Sequence, residues 1–338
     1  MADVAAAAQV SKATVSNVLS GKTGHVSESV SRRVLEAAKR LHYQPRIASG
    51  VLLREKTIAV LIDLSETFHK NVYRDMVTSI VSACQETPYR VVFYPDREGK
   101  RDYEAILLDN PSLDGVIIHC PLFQDKRMET LMASRLPTVS IGSKFAESRD
   151  RLVTIDVDNI QIAYDTTLRL LQLGHRKIGL LNSRPNCKLT FDRLRGYVGA
   201  LKEYEIPFDP ALVYNTDNMM RDGADTCFDL IRLQNVTAVV TCSDDVARGV
   251  YEAAKKFGLA IPRDLSVCAL GGDDFAASLQ PALDTVAIPY WEIGELAVEQ
   301  LIGMIEGKTS EGTHIEVDAH YLHRHSVAAV RPNGLASD

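Results

Sequence analysis

From Thr57 to about Val330 short apolar runs alternate with amphipathic stretches, a rhythm that few architectures accept. The runs Thr57–Ile62, Arg90–Tyr94, Gly115–His119, Thr138–Ile141, Lys177–Leu181, Thr237–Cys242 and Ser266–Leu270 read as strands. Helical periodicity lies between them, as in Tyr164–Leu173, Leu194–Glu203 and Asp245–Phe257. Strand and helix in strict alternation imply parallel sheets joined by right-handed crossovers. The pattern comes in two blocks, before and after about Asp158, so the expected core is two doubly wound parallel-sheet subdomains. The chain should cross between them near Asp158, Val286 and Val317. That gives an N-subdomain of about 57–157 and 288–316 and a C-subdomain of about 158–287 and 317–330, with 331–338 as a tail.

In such folds ligands bind outside the carboxyl ends of the strands. The side chains sought there are planar carboxylates and an arginine, which take paired hydroxyls bidentately, plus aromatic faces that cover C–H surface. Asp244, Asp274 and Arg193 supply the polar part, in loops expected after strands, and Phe68 and Trp291 supply aromatic faces. Phe68 and Trp291 could equally belong to a subdomain core.

The first 45 residues have a different pattern. Val4–Ala8 is a short alanine-rich helix. Ser11 is placed to cap a second helix, with Val15, Val18 and Leu19 turned inward beside Val10. Lys12, Ala13, Ser16 and Asn17 then face outward, short or polar as a helix entering the major groove requires. A third helix starts at Ser27, with Val30, Val34, Ala37, Ala38 and Leu41 on its apolar face and Arg32, Arg33, Lys39 and Arg40 around it. Through Lys56 there are nine Lys and Arg against four Asp and Glu, a net +5, which leaves −11 for the remainder of a chain at −6. The basic head is the part suited to phosphate contact, because neutralising phosphates releases counterions. A small helical bundle for protein contacts would show much of the same pattern.

Asp3-Val4-Ala5, the run Val10 to Gly21, Val26-Ser27 and Tyr43-Gln44-Pro45 together resemble the head of the lactose-repressor (LacI/GalR) family. The similarity runs through nearly the whole chain. It implies an all-α helix-turn-helix head over residues 1–45 and a hinge over 46–56. The effector-binding core over 57–330 would be of periplasmic-binding-protein type. It also implies a homodimer on pseudo-palindromic operator DNA, one reading helix per half-site, with Ser11, Lys12, Ala13, Thr14, Ser16, Asn17 and Arg46 at the DNA. Three positions depart from the family's habit: Gln9 for a turn glycine, Asn17 for an arginine and Arg46 for an asparagine. In the hinge, Leu52 falls at the register of a leucine that wedges into the minor groove, where unstacking a base step costs roughly a few kcal/mol. Gly50 disfavours that helix by about 1 kcal/mol relative to Ala, so the hinge is expected to order only on DNA. In the core the resemblance adds Ser243, which replaces the Asn of an Asn-Asp loop. It assigns Ser243, Asp244, Arg193 and Asp274 to a small, sugar-like effector. Gly272 stands where an aromatic often sits.

Other classes are less well supported. Gly271-Gly272-Asp273-Asp274-Phe275 imitates a cyclic-dinucleotide cyclase signature without a second nucleotide motif. No Gly-x-Gly-x-x-Gly follows a strand, so dinucleotide binding is unsupported. His320, His323 and His325 imitate a metal cluster, but alternation along a terminal strand would turn His320 away from the other two. No cofactor, metal or catalytic constellation is expected. The six cysteines (Cys84, Cys120, Cys187, Cys227, Cys242 and Cys268) lack metal-ligand spacing and read as buried thiols. No apolar run approaches a bilayer span and no secretory leader is apparent, so a cytoplasmic regulator is expected rather than a transport-type sugar-binding protein. Few residues follow Val330 and they carry no heptads, so a dimer is expected rather than a tetramer.

Overall fold

The computed structural model describes residues 2–19, 26–41, 56–63, 70–96, 102–108, 110, 112–142, 151–215 and 235–330. The chain forms two compact units, Met1–Glu55 and Lys56–Asp338.

In the first unit, α1 (Ala2–Ala8), α2 (Lys12–Leu19) and α3 (Glu28–Arg40) enclose a small core of Val4, Ala5, Ala8, Val15, Val18, Val34, Ala37 and Ala38. The Ser11 hydroxyl accepts from the Thr14 N–H at 3.0 Å, closing the first turn of α2, and Ser27 does the same for the Val30 N–H at 3.4 Å. Gln9 sits between α1 and α2 at φ +51°, the left-handed region a glycine would enter without strain. Leu41, expected on the apolar face of α3, is exposed, although its N–H still donates to the Ala37 carbonyl at 3.0 Å.

The second unit runs β1 (Lys56–Asp63), α4 (Lys70–Gln85), β2 (Tyr89–Asp96), α5 (Tyr103–Leu107), β3 (Leu113–His119), α6 (Lys126–Ala133), β4 (Thr138–Ile141), β5 (Val153–Asp156) and α7 (Asn159–Gln172). It continues with β6 (Ile178–Asn182), α8 (Lys188–Glu203), β7 (Val213–Asn215), β8 (Ala238–Thr241), α9 (Asp244–Lys256), β9 (Ser266–Gly271), β10 (Asp284–Ala287), α10 (Tyr290–Ile305), β11 (His314–Glu316) and β12 (His320–Leu322). Two six-stranded sheets result, ordered β11-β5-β4-β3-β1-β2 and β12-β10-β9-β8-β6-β7. Every pairing is parallel except β10 with the short edge strand β12.

Both faces of each sheet are covered, which is why the strands read as continuous apolar runs rather than alternating ones. In β1, Ile58, Val60 and Ile62 pack with α4 and α10, while Ala59 and Leu61 meet Leu107, Met128 and Leu131 on the other face. In the second sheet Val239 and Val267 meet α9, and Ala238 and Val240 meet α7 and α8. A Cβ at Gly196 would collide with the Ile160 carbonyl, so glycine lets α8 lie directly on α7.

In each sheet the strand order reverses at one place, between β1 and β3 and between β6 and β8. Those reversals open crevices at the carboxyl ends, where doubly wound folds bind ligands. The passage expected near Val286, with the halves parting between 287 and 288, falls there. β10 runs through Ala287 in the second sheet, and the passage is made at Ile288 and Pro289.

Candidate functional site

On the head, the outward face of α2 carries Ser11, Lys12, Ala13, Ser16 and Asn17 exposed and Thr14 half-buried, while Val15 and Val18 hold the helix to its core. The Ser11 hydroxyl lies 2.9 Å from that of Thr14, so both are ordered by the cap itself. Arg32 and Arg33 are exposed on α3. Arg46 and Leu52 lie outside the described residues.

In the core, Arg193 lies within a helix rather than the loop its neighbours imply, because α8 begins at Lys188. It is buried. Its Nε donates to Asn159 Oδ1 at 3.1 Å, and its Nη1 donates to the Cys242 carbonyl at 2.9 Å. Asn159 in turn donates through Nδ2 to Asp156 Oδ1 at 3.0 Å. The Asp156 carboxyl is pushed up to about 7 by burial, against the pull of the Val157 N–H and the Arg193 charge. A polar chain thus runs from the end of β5, through the start of α7 and the second turn of α8, to the end of β8. Thr190, one turn before Arg193 on the same helix face, is buried with no partner for its hydroxyl among the described residues.

Asp244 has a different geometry from the one its motif implies. It is fully buried. One carboxylate oxygen accepts from the Gly272 N–H at 2.7 Å and the Asp273 N–H at 2.5 Å, and the other accepts from the Thr285 hydroxyl at 2.6 Å. Burial raises its pKa and these donors oppose the rise. Asp244 is therefore a brace that ties the start of α9 to the turn after β9 and to β10. Ser243 is also buried and caps α9, its Oγ accepting from the Val246 N–H at 3.3 Å.

The brace decides which aspartate of the Gly-Gly-Asp-Asp turn points inward. Gly272 stands at φ +98°, and a Cβ there would meet the Ala287 Cα at 2.5 Å, so no aromatic fits. Asp273 is buried, its Oδ2 has no hydrogen-bond partner among the described residues, and its carboxyl is pushed up to about 7. Burial is the main cause, followed by the nearby charges of Asp244, Asp245 and Asp75. Asp274, the residue singled out from the motif, is exposed and opens a 3-10 turn, Asp274–Ser278. The inward position is one residue earlier.

The aromatic partner also moves by one. Trp291 is 45% exposed, with its indole N–H donating to Glu295 one turn on. Its neighbour Tyr290, at the start of α10, lies within electrostatic reach of Arg193, Cys120, Asp273 and Asp244, and burial raises its phenol. Phe68 lies outside the described residues. His323 stacks on Tyr321 with ring centroids 4.6 Å apart, and no group of metal ligands occurs among the described residues.

A helix-turn-helix head followed by two doubly wound halves, with buried Arg193 and Asp273 near their strand ends, defines a DNA-binding regulator with an effector-binding core. Residues 1–46 match the family of bacterial regulatory proteins called the lacI family, and residues 167–327 match the periplasmic binding protein-like domain. The chain is 31% identical to the HTH-type transcriptional regulator RegA of Clostridium saccharobutylicum, over 96% of this chain and 98% of that one. It is 28% identical to the ribose operon repressor of Haemophilus influenzae, over 98% and 99%. A solved complex of the transcriptional regulator CelR with cellobiose matches it with a TM-score of 0.73 at 25% identity, covering 96% of this chain and 98% of that one. This chain belongs to the lacI family and is a transcriptional regulator. No helix among the described residues is long and apolar enough to cross a membrane.

Proposed function

We propose that the chain is a cytoplasmic repressor that binds a pseudo-palindromic operator as a homodimer, and that a small polyhydroxylated effector held by Arg193, Asp273 and Tyr290 controls that binding. The observation that carries the effector reading is Asp273, a buried carboxylate with one oxygen unpartnered among the described residues. A buried polar group without a partner costs about 1–3 kcal/mol, and a ligand hydroxyl removes that cost. Arg193 is held in place through Nε and Nη1 by protein acceptors, as a ligand-binding guanidinium must be to act without reordering. The sugar named with the CelR complex and the ribose operon named with the Haemophilus repressor point to the same ligand class. In the head, α2 is the reader, with Lys12, Ala13, Ser16 and Asn17 at base edges and Ser11, Thr14 and Arg46 positioning the backbone. Leu52 is the minor-groove wedge.

The test is a thermal-shift screen of monosaccharides, disaccharides and nucleosides on the full chain. A ligand at 100 times its dissociation constant adds about 2.7 kcal/mol, which is readily seen. Asp273→Asn and Arg193→Ala should abolish the shift, while Asp274→Asn should retain it. An undiminished shift in Asp273→Asn, or its loss in Asp274→Asn, rejects the assignment.

A further inference from the structure

Of the cysteines described, Cys84, Cys242 and Cys268 are buried singly, their thiols pushed up by burial to about 11, 12 and 12. Cys120 and Cys187 differ: although 67 positions separate them in the chain, each thiol is the leading influence on the other's proton affinity. Cys120 directly follows β3 in the first sheet, and Cys187 directly precedes α8, which packs on the second sheet. The pair therefore spans the two halves of the core. The backbone makes the same crossing. Leu122 and Cys187 form an isolated antiparallel bridge, and the Phe123 N–H donates to the Asn186 carbonyl at 2.9 Å.

The backbone at Cys120 is held at φ +42°, which a Cβ-bearing residue adopts at a cost that clusters at functional positions. The opposite wall is glycine: a Cβ at Gly142 would lie 2.9 Å from the Cys120 sulfur. His119 Nε2 is 3.4 Å from that sulfur. Cys187, the residue before α8, lies three positions before Thr190, which lies three before Arg193. We propose that Cys120 and Cys187 are a peroxide-oxidisable thiol pair, whose disulfide ties the two halves of the core together beside the effector site.

The two sulfurs are chemically unequal. Cys187 is lowered to about 7 by Cys120 and by the N–H groups of Leu189 and Thr190, whereas the Cys120 thiol is raised by Cys187 and by burial. The Cys187 thiolate attacks a peroxide oxygen, breaking the O–O bond, and becomes a sulfenic acid. The released hydroxide takes a proton and leaves as water. The Cys120 sulfur then attacks the sulfenic sulfur and gives up its proton, with His119 placed to receive it. The S–O bond breaks and a second water leaves. Two thiols and one peroxide yield one disulfide and two waters, and two electrons pass from sulfur to oxygen.

The inference is independent of which effector binds. The full chain is treated with hydrogen peroxide at neutral pH, free thiols are alkylated, and non-reduced peptides are mapped by mass spectrometry. The expected product is one cross-linked pair joining the peptides of Cys120 and Cys187, lost on adding dithiothreitol and absent from Cys187→Ser. In the same oxidised wild-type protein, hydrogen exchange at the Phe123 amide should slow about tenfold or more and recover on reduction, because opening between the halves is what exposes it. A sulfinate on Cys187 with Cys120 still alkylated, or a bridge to any other cysteine, overturns the pairing. A correct bridge with unchanged exchange at Phe123 overturns the tie between halves.

Discussion

In the head, Lys12, Ala13, Ser16 and Asn17 are exposed on a helix whose other face does the packing. In the core, Arg193, Asp273 and Asp244 are 3%, 7% and 0% exposed and sit within the hydrogen bonds that join strand ends. The two regions thus separate folding from function to different degrees. A side chain on the head can change what is read without changing what is folded. In the core the residues proposed for the effector site lie among the bonds that join strand ends, so on that proposal function and stability move together.

The sharpest break of this contrast is Asp244→Ala. It strands the N–H groups of Gly272 and Asp273 at once, while the Thr285 hydroxyl keeps the Ala269 carbonyl at 3.2 Å. At roughly 1–3 kcal/mol for each N–H group left unpaired, the core should lose at least about 2 kcal/mol in urea unfolding. A loss below about 1 kcal/mol would show that the turn after β9 holds itself.

Acid and base sharpen the same point. Asp156 and Asp273 both stand at about 7 in the folded core, against about 3.9 for an unfolded Asp. Between about pH 4 and 7 the folded state keeps protons that the unfolded chain has released, so their stabilising contribution is greatest at the acid end and disappears as pH rises through 7. Asp273→Asn should therefore raise the melting temperature of the ligand-free protein at pH 8 and change it little at pH 5. An equal change at both would place the proton elsewhere.

In the head the effects shrink. Ser11→Ala removes the α2 cap and should cost about 1 kcal/mol of head stability by thermal melting. Lys12→Ala should leave head stability within about 0.5 kcal/mol. It should still shift operator preference in a competition titration by about 1–3 kcal/mol at one base pair. A comparable loss on every duplex would make Lys12 a phosphate contact rather than a reader.

Much of this was legible along the chain. The caps at Ser11 and Ser27, the inward face of Val15 and Val18 and the long apolar strands all rest on preferences acting within about one helical turn or one strand. β5, β7, β10 and β11 were not read, and β12 only as part of a longer terminal strand through His325; β7 and β11 are three residues each and neither is buried throughout, so no apolar run marks them. The first turns of α7 and α8 were read as loop because Asn159, Thr190 and Arg193 are polar residues whose partners lie far off in sequence.

The sequence by itself determined the class of fold, the polar outward face of α2 and the segments that would meet at the strand ends. Only the tertiary structure decided which atoms meet. Asp273 rather than Asp274 turns inward because Asp244, 29 residues away, grips the turn and Gly272 bends it. Tyr290 rather than Trp291 comes within reach of Arg193 and Asp273 because the passage at Ile288 and Pro289 sets where α10 begins. Cys120 finds Cys187 because two separately wound halves close on each other. Chain stiffness and side-chain preference reach only a few residues, and choices of this kind belong to packing across the whole core.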